Sequence, residues 1–466
     1  MSLEPILTFL DKVNETKLAN EVAEVFGKHA QSFAHFDDVS KTFFKIKNYD
    51  RSIYYGERAL SIASSPQEMY IIRSNLVNVF NHNNQPEKAL RYIRANEAVI
   101  EHDNDRDFEK AYSYFLLNRK TEAAELLRSK LNDPTLTEEQ RVKLDFNCGT
   151  YDLIEGNFQK GLKGFLVDGE KMGIHNTQTF MNQNTKTYGL PKWNGMVKPG
   201  MNLLIIAEAG IGDEIINVRF VEKIQSYGIN CIWLSMESRV DLMDLFVLNG
   251  VPAVKSIDEV SKEFLQNAVY IPSMQLPIAL NSKVEDLWSK HYLPNTFQEY
   301  DDKWYDIIHY EKKWTVPGNR LKIGVRYRGS GLYDQDLHRS IPLEQMYNAI
   351  KESGIDADIF SIQKDDGIEE LDQFDDIMPL HDKLESLKDL FSAIKKLDII
   401  ITSCTSCAHI AAAMGKRVYI IVPISCYYTW CQPGDKTNWY GDNVTVLYQK
   451  TPRSWKEPLE HVSKLL

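Results

Sequence analysis

The sequence predicts an α + α/β protein: an N-terminal helical repeat solenoid followed by two facing Rossmann-like halves. Three observations predict it. Up to about residue 185 the chain reads almost entirely as helix, and one short phrase occurs four times. Beyond residue 200, short apolar, β-branched runs bounded by turn residues alternate with helix-length segments, the pattern of βα units in a parallel sheet. An aromatic-rich stretch from Trp288 to Trp314, leading into Pro317-Gly318, divides those runs into two groups. The expected domains are 1–185, 186–315 and 316–466.

In the helical part, a turn-like polar or aromatic pair leads into a helix with a small residue soon after. The four examples are Tyr49-Asp50-Arg51-Ser52-Ile53, Pro86-Glu87-Lys88-Ala89-Leu90, Thr121-Glu122-Ala123-Ala124-Glu125 and Phe158-Gln159-Lys160-Gly161-Leu162. The small positions Ser52, Ala89, Ala124 and Gly161 lie 37, 35 and 37 residues apart. That period is close to the roughly 34 residues of a tetratricopeptide helical hairpin. A small residue there lets the second helix of a hairpin approach the first, with Phe43, Val79 and Tyr114 expected as the larger knobs. One repeat cannot bury its apolar face alone, so the four are expected to stack and offer a concave binding face. The alternative is an irregular helical bundle.

The expected strands are Leu203 to Ala207, Cys231 to Ser235, Ala268 to Ile271, Lys322 to Tyr327, Asp358 to Ile362, Asp398 to Thr402 and Val418 to Val422. Sheets of this kind take ligands outside the carboxyl ends of their strands. Two such halves facing across a cleft suit a nucleotide-linked substrate.

Composition narrows the function classes. With 466 residues, 43% hydrophobic and 26% charged, the chain supports two to four packed domains, and a disulfide-stapled scaffold is excluded. The longest apolar runs, Val418 to Pro423 and Leu397 to Ile401, stop far short of the roughly 20 residues that span a bilayer. The start, Met1-Ser2-Leu3-Glu4-Pro5, has no basic stretch ahead of an apolar one, so no secretory signal is expected and a cytoplasmic location is. Six cysteines without framework spacing fit a reducing compartment. A net charge of −11 argues against a broad duplex-binding surface, while leaving room for a short basic cleft lined by Arg326, Arg328 and Lys364.

The first strand runs into Ala209-Gly210-Ile211-Gly212-Asp213-Glu214, with a helix expected from about Ile215 to Tyr227. Glycines at a strand-to-helix turn let backbone approach a ligand, and the helix N-terminus attracts negative charge. Gly210 and Gly212 are therefore expected to line the cleft. The dinucleotide fingerprint is incomplete, for no third glycine follows at the required position. Two roles fit Asp213: a general base facing the cleft, or a cap on the helix.

A resemblance bears on that choice. Leu190-Pro191-Lys192-Trp193-Asn194-Gly195, Leu203-Leu204-Ile205-Ile206, Glu208-Ala209-Gly210-Ile211-Gly212-Asp213 and then Arg219-Phe220 resemble the start of the catalytic half of tetratricopeptide-repeat glycosyltransferases. That half is similar to the bacterial heptosyltransferases of glycosyltransferase family nine. Ile323-Gly324-Val325-Arg326-Tyr327-Arg328-Gly329, Arg339-Ser340-Ile341-Pro342-Leu343, Ser361-Ile362-Gln363-Lys364 and Thr405-Ser406-Cys407-Ala408-His409, with Ala412-Met414-Gly415, resemble the later motifs in the same order. Trp430, Trp439-Tyr440 and Trp455 complete a set spanning residues 190 to 456.

The resemblance implies a GT-B fold that moves a sugar from a nucleotide diphosphate sugar to an acceptor hydroxyl, with inversion and no obligatory metal or other cofactor. It makes 186–315 the acceptor side carrying Asp213 as catalytic base, and 316–466 the donor side. Arg328 and Arg339 are expected to hold the donor diphosphate through planar bidentate donors. The turn Thr402 to Ser406, leading into a helix near Cys407, is expected to hold it through hydroxyls and free N–H groups, Thr405 and Ser406 included. His409 is expected near the same phosphates or as a hydrogen-bonded core histidine. Gln363 and Lys364 are expected to line the nucleotide side of the cleft.

Three positions depart from the family pattern: Cys404 replaces Asp, Thr429 replaces Arg before Trp430, and Tyr327 replaces Trp before Arg328. A non-catalytic repeat scaffold with a degenerate glycosyltransferase fold is therefore the alternative. The acceptor class stays open among protein, glycan and modified nucleobase. The repeats favour an extended polymer or protein, and the negative charge makes nucleic acid the least favoured. Asp334-Gln335-Asp336 fits a metal-holding Asp-x-Asp pattern, but so do Asp103-Asn104-Asp105 and Asp105-Arg106-Asp107, so no metal site is assigned. Cys404 and Cys407, with Cys426 and Cys431, are read as small packing residues behind a helix start rather than a zinc site. Tyr427, Tyr428, Trp430, Trp439 and Tyr440 either stack on a sugar or base or cover a sheet edge.

Overall fold

A computed structural model of the chain describes residues 16–100, 103–168, 189–310, 320–331, 336–364, 366–432 and 434–466. The expected domain boundaries at 185/186 and 315/316 lie outside the described residues, as do Trp314, Pro317-Gly318 and the Asp334-Gln335 part of the Asp-x-Asp pattern. The chain forms two compact units. One comprises Met1–Gln140, Leu332–His338 and Thr451–Arg453, and the other Arg141–Gly331, Arg339–Lys450 and Ser454–Leu466.

Helices pair as antiparallel hairpins. Phe33–Lys45 pairs with Tyr49–Ile62, Pro66–His82 with Pro86–Glu97, and Asn104–Leu116 with Lys120–Arg128, all in the first unit. Glu138–Ile154 is followed in the same way by Phe158–Leu162, which belongs to the second unit. Each of the four phrases read from sequence opens the second helix of a hairpin.

The hairpin turns share one geometry. Lys47, Asn84, Asn118 and Gly156 all have positive φ. In each, the N–H of the next residue reaches back six residues inclusive: Asn48 to Phe43 at 2.9 Å, Gln85 to Phe80 at 2.7 Å, Arg119 to Tyr114 at 2.9 Å and Asn157 to Asp152 at 2.7 Å. This is the Schellman closure, which satisfies carbonyls that the helix end leaves open. Five residues after each left-handed position comes a small buried residue: Ser52, Ala89, Ala123 and Gly161. The register is therefore set by Ala123 rather than Ala124, although both are buried. By the same register Phe80, fully buried, is the equivalent of Phe43, rather than Val79. At Ser52 the close approach is also polar, because Ser40 Oγ donates to Ser52 O and Ser52 Oγ to Ser40 O, both at 2.8 Å.

The second unit holds two parallel sheets. In the first, β1 (Asn202–Ile206), β2 (Asn230–Leu234), β3 (Ala253–Val254) and β4 (Ala268–Pro272) take the order β3-β2-β1-β4. Pro191 and Trp193 bond to Tyr270 beside β4, so the Leu190 to Gly195 motif runs along that edge. In the second sheet, β5 (Leu321–Arg326), β6 (Ala357–Ser361), β7 (Ile377–Pro379), β8 (Ile399–Ser403), β9 (Arg417–Val422) and β10 (Val444–Tyr448) take the order β10-β9-β8-β5-β6-β7. Every neighbouring pair is parallel. β8 is buried along its whole length and β1 from Leu203 onward, as expected for strands covered on both faces.

The expected strands all form, each within one residue of its expected ends. The helix after β1 differs. It begins at Ile211, four residues earlier than expected, and is two consecutive helices, Ile211–Val218 and Phe220–Ser226. Among the described residues no helix is long and apolar enough to cross a membrane.

Candidate functional site

The carboxyl ends of β1 and β8 lead into two eight-residue helices, Ile211–Val218 and Ser406–Ala413, whose N-termini meet. Gly212 makes the meeting possible. A Cβ on it would stand 2.9 Å from His409 Cδ2 and 3.6 Å from both His409 Nε2 and Ser406 Cα. A helix N-terminus carries partial positive charge and unused N–H groups, so two of them facing one point favour an anion between the halves.

The turn after β1 is held by two buried acids, Glu208 and Glu214. Glu208 Oε2 accepts from Met274 N at 3.1 Å, while its own N–H donates to Ser273 Oγ at 3.2 Å. Ala209 takes a left-handed φ of 56°, a conformation that costs a side-chain-bearing residue about 1 kcal/mol. Arg239 stabilises it, donating from Nη2 to Ala209 O at 2.7 Å and pairing through Nη1 with fully buried Glu214. Glu214 also accepts from Trp233 Nε1 at 3.0 Å and Ser235 Oγ at 3.1 Å.

Asp213 lies one turn into the helix. Its Oδ2 accepts from Gly210 N–H at 2.9 Å, so the carboxylate does cap the helix, from the third helical position rather than as the N-cap residue. Its Oδ1 accepts from the Tyr427 hydroxyl at 2.6 Å, a bond from the other half. Burial raises the Asp213 carboxyl above the usual carboxylate range, while the Tyr427 and Gly210 hydrogen bonds and the charge of Arg239 oppose the rise. A carboxylate with raised basicity, reached by one hydroxyl already, has the character of a general base.

On the β8 side, Thr402 Oγ1 donates to Ser403 O at 2.9 Å and lies 3.2 Å from Thr405 Oγ1. The Ser403 hydroxyl is fully buried and has no protein partner among the described residues. Ala408 N–H turns back to Thr405 O at 3.1 Å, while Thr405, the N-cap residue, makes no side-chain capping bond. Ser406 stands half-buried at the helix start. Arg339 joins this loop, donating from Nη1 to Cys404 O at 2.9 Å. The Cys404 thiol is pushed up to about 11 by burial, against the pull of Arg339.

The structure thus brings Asp213, Gly210, Gly212, Thr405, Ser406, His409 and Arg339 to one region. It gives the other expected residues different partners. Arg328 forms an ion pair with Glu370, and its backbone N–H donates to Gln363 Oε1 at 3.1 Å. Gln363 is fully buried and donates to Asp366 O at 2.9 Å, stapling two loops. Lys364 donates to Leu384 O. His409 is neutral: burial and the nearby Arg219 pull it down to about 3. Its Nδ1 meets the Tyr440 hydroxyl at 2.9 Å and its ring stacks on Trp430 at 4.7 Å, so it packs as a core histidine whose Nε2 edge faces Gly212.

The aromatic stretch is core as well. Tyr428, Trp430 and Trp439 are fully buried, and Tyr427 alone of the five is half-exposed. Arg219 ties this cluster to the first half. It bonds to Ile216 O and Leu287 O at 2.7 Å, Tyr292 Oη at 2.8 Å and Trp439 O, and lies over the rings of Tyr292 and Tyr440 at 4.7 Å. Tyr327 uses its hydroxyl to bond Gly367 O at 2.8 Å. All six cysteines are free thiols, with Cys426 and Cys431 sulfurs 3.5 Å apart. Among the described residues no group of three or more His, Cys, Asp or Glu side chains is placed to hold a metal ion. Sequence reading missed the Tyr427–Asp213 bond, the Glu214–Arg239 pair and the Arg219 anchor.

No protein-family model matches the sequence, and no curated protein matches it. Solved structures similar to it include a glycosyl transferase family 9 protein of Veillonella parvula, 13% identical over 56% of this chain and 89% of that one, at a TM-score of 0.40. The ADP-heptose LPS heptosyltransferase II of E. coli is 13% identical over 57% of this chain and 97% of that one, at 0.36. An O-GlcNAc transferase mutant of Thermobaculum terrenum is 10% identical over 96% of this chain and 89% of that one, at 0.31.

Proposed function

We propose that this chain is an inverting glycosyltransferase, moving a sugar from a nucleotide diphosphate sugar of the cytoplasm to an acceptor hydroxyl. The observation that carries the reading is the meeting of two helix N-termini across Gly212, with Asp213 on one side and Arg339, Thr405 and Ser406 on the other. In this reading the acceptor oxygen attacks the anomeric carbon as Asp213 takes its proton. The bond from that carbon to the diphosphate oxygen breaks on the opposite face. The leaving diphosphate is met by the N-terminus of Ser406–Ala413, the Ser403, Thr405 and Ser406 hydroxyls and Arg339, so no metal is assigned to it. Residues 186–315 then form the acceptor side, 316–466 the donor side, and the hairpins of 1–185 hold an extended polymer or a protein.

The test is mass-spectrometric screening of purified protein against a panel of nucleotide diphosphate sugars. Consumption of one donor, with a new product in the presence of acceptor, supports the proposal; consumption of none contradicts it. A second reading, a non-catalytic scaffold, draws on the pairing of Arg328 with Glu370 and of Lys364 with Leu384, which occupies two expected donor-binding cations. Calorimetry separates the two, because a scaffold binds none of the nucleotides.

A further inference from the structure

We propose that Tyr427 is a positioning residue for the transfer reaction, a hydroxyl from the donor half that orients the Asp213 carboxylate toward the acceptor. The inference rests on the reading of Asp213 as base. The two oxygens of that carboxylate are not equivalent. Oδ2 is committed to Gly210 N–H at 2.9 Å, a bond that also caps the helix. Oδ1 accepts from Tyr427 at 2.6 Å, which uses one of its two lone-pair directions and leaves the other for an incoming hydroxyl. Tyr427 thereby selects the face of Oδ1 on which the acceptor proton arrives.

The tyrosine is well fixed for this role. Its ring meets Phe165 edge-on at 5.8 Å and Tyr428 at 4.7 Å. Its carbonyl accepts from Trp430 N–H at 2.8 Å and from the Cys431 thiol at 3.1 Å. Unlike Tyr428, Trp430 and Trp439, it is half-exposed, and it alone of the five aromatics in the stretch reaches a candidate catalytic atom.

The bond also acts on protonation. Burial pushes the Asp213 carboxyl up, and the hydroxyl stabilises the ionised form against it. The other titratable and charged groups acting on Asp213 are Glu214 on its own helix, Arg239 beyond β2 and Tyr428 beside Tyr427, while neutral His409 of the opposing helix packs against the adjacent Gly212. Tyr427 differs from them in donating a hydrogen bond to the carboxylate.

The experiment is the pH profile of kcat/KM for wild type, Asp213→Asn and Tyr427→Phe. Removing the hydroxyl is expected to move the acid limb up by about one pH unit, a tenfold change in proton concentration at the midpoint. Monofluorinated tyrosine at position 427 keeps the shape, donates more strongly and is expected to move the limb down. A limb that stays in place for both overturns the proposal, even if activity falls. When Asp213→Asn is inactive, that result removes only the role of Tyr427. Full activity of Asp213→Asn, or no transfer by wild type, removes the base reading together with it.

Discussion

Gly212 and His409 meet so closely that no side chain fits between them: a Cβ on the glycine would stand 2.9 Å from His409 Cδ2. The histidine cannot withdraw, because its ring stacks on Trp430 at 4.7 Å and its Nδ1 is bonded to the Tyr440 hydroxyl at 2.9 Å. Gly212→Ala is therefore expected to push the two helix N-termini apart. The cost is about 1–3 kcal/mol, read as a lower urea midpoint. Weakened nucleotide binding is expected in the same variant, and an unchanged midpoint would show that the contact yields easily.

The same histidine gives stability a pH dependence of definite sign. His409 in the folded chain is pulled down to about 3 and His338 to about 4, both mainly by burial, from an ordinary value near 6.5. Between those values the unfolded chain binds protons that the folded chain does not. Stability is thus fully present above about pH 6.5 and falls as pH drops, by up to about 1.4 kcal/mol per pH unit for each histidine. Denaturation midpoints at pH 7 and pH 5 check this, with a shallower decline expected for His409→Gln.

Much of the fold is legible in sequence because its signals are local. Runs such as Leu203 to Ile206 and Ile399 to Ile401 are buried on both faces and read as strands without reference to anything distant. β3 and β7 escaped notice because two and three residues make no periodicity, and β10 because Val444–Tyr448 was not separated from the aromatic stretch before it. The early start of the helix at Ile211 has no local signal. Gly210 and Gly212 look like a loop, and the second glycine is needed only because a histidine nearly 200 residues away packs against it. Arg328 was expected at the diphosphate and Lys364 on the nucleotide side of the cleft, and their actual partners, Glu370 and the carbonyl of Leu384, likewise have no local signal because tertiary packing sets them.

Arg239 is expected to be the most costly surface-to-core link in the first half. Its guanidinium neutralises Glu214, which has no exposure, and holds the carbonyl of left-handed Ala209 at 2.7 Å. Arg239→Met leaves that carboxylate with only Trp233 and Ser235, at a cost of about 3–5 kcal/mol in chemical denaturation. The double variant with Glu214→Leu is expected to recover part of the loss, since no buried charge then lacks its partner.

Arg339 tests the donor side. It is half-buried and touches the β8 loop through Cys404 O, so its removal is expected to disturb ligand more than fold. Arg339→Ala is expected to weaken nucleoside diphosphate binding about ten- to a hundredfold by calorimetry, with the melting temperature nearly unchanged. Arg339→Lys is expected to restore only part of the affinity, because a point charge lacks the planar fork.

The most direct measurement is of turnover and donor affinity together for Asp213→Asn. The substitution keeps the shape of the side chain and a carbonyl oxygen for Gly210 N–H, but removes the base. If Asp213 takes the acceptor proton, kcat falls by about 10²–10⁴-fold while the donor Kd stays within a few-fold of wild type. Undiminished kcat in this variant would contradict the account.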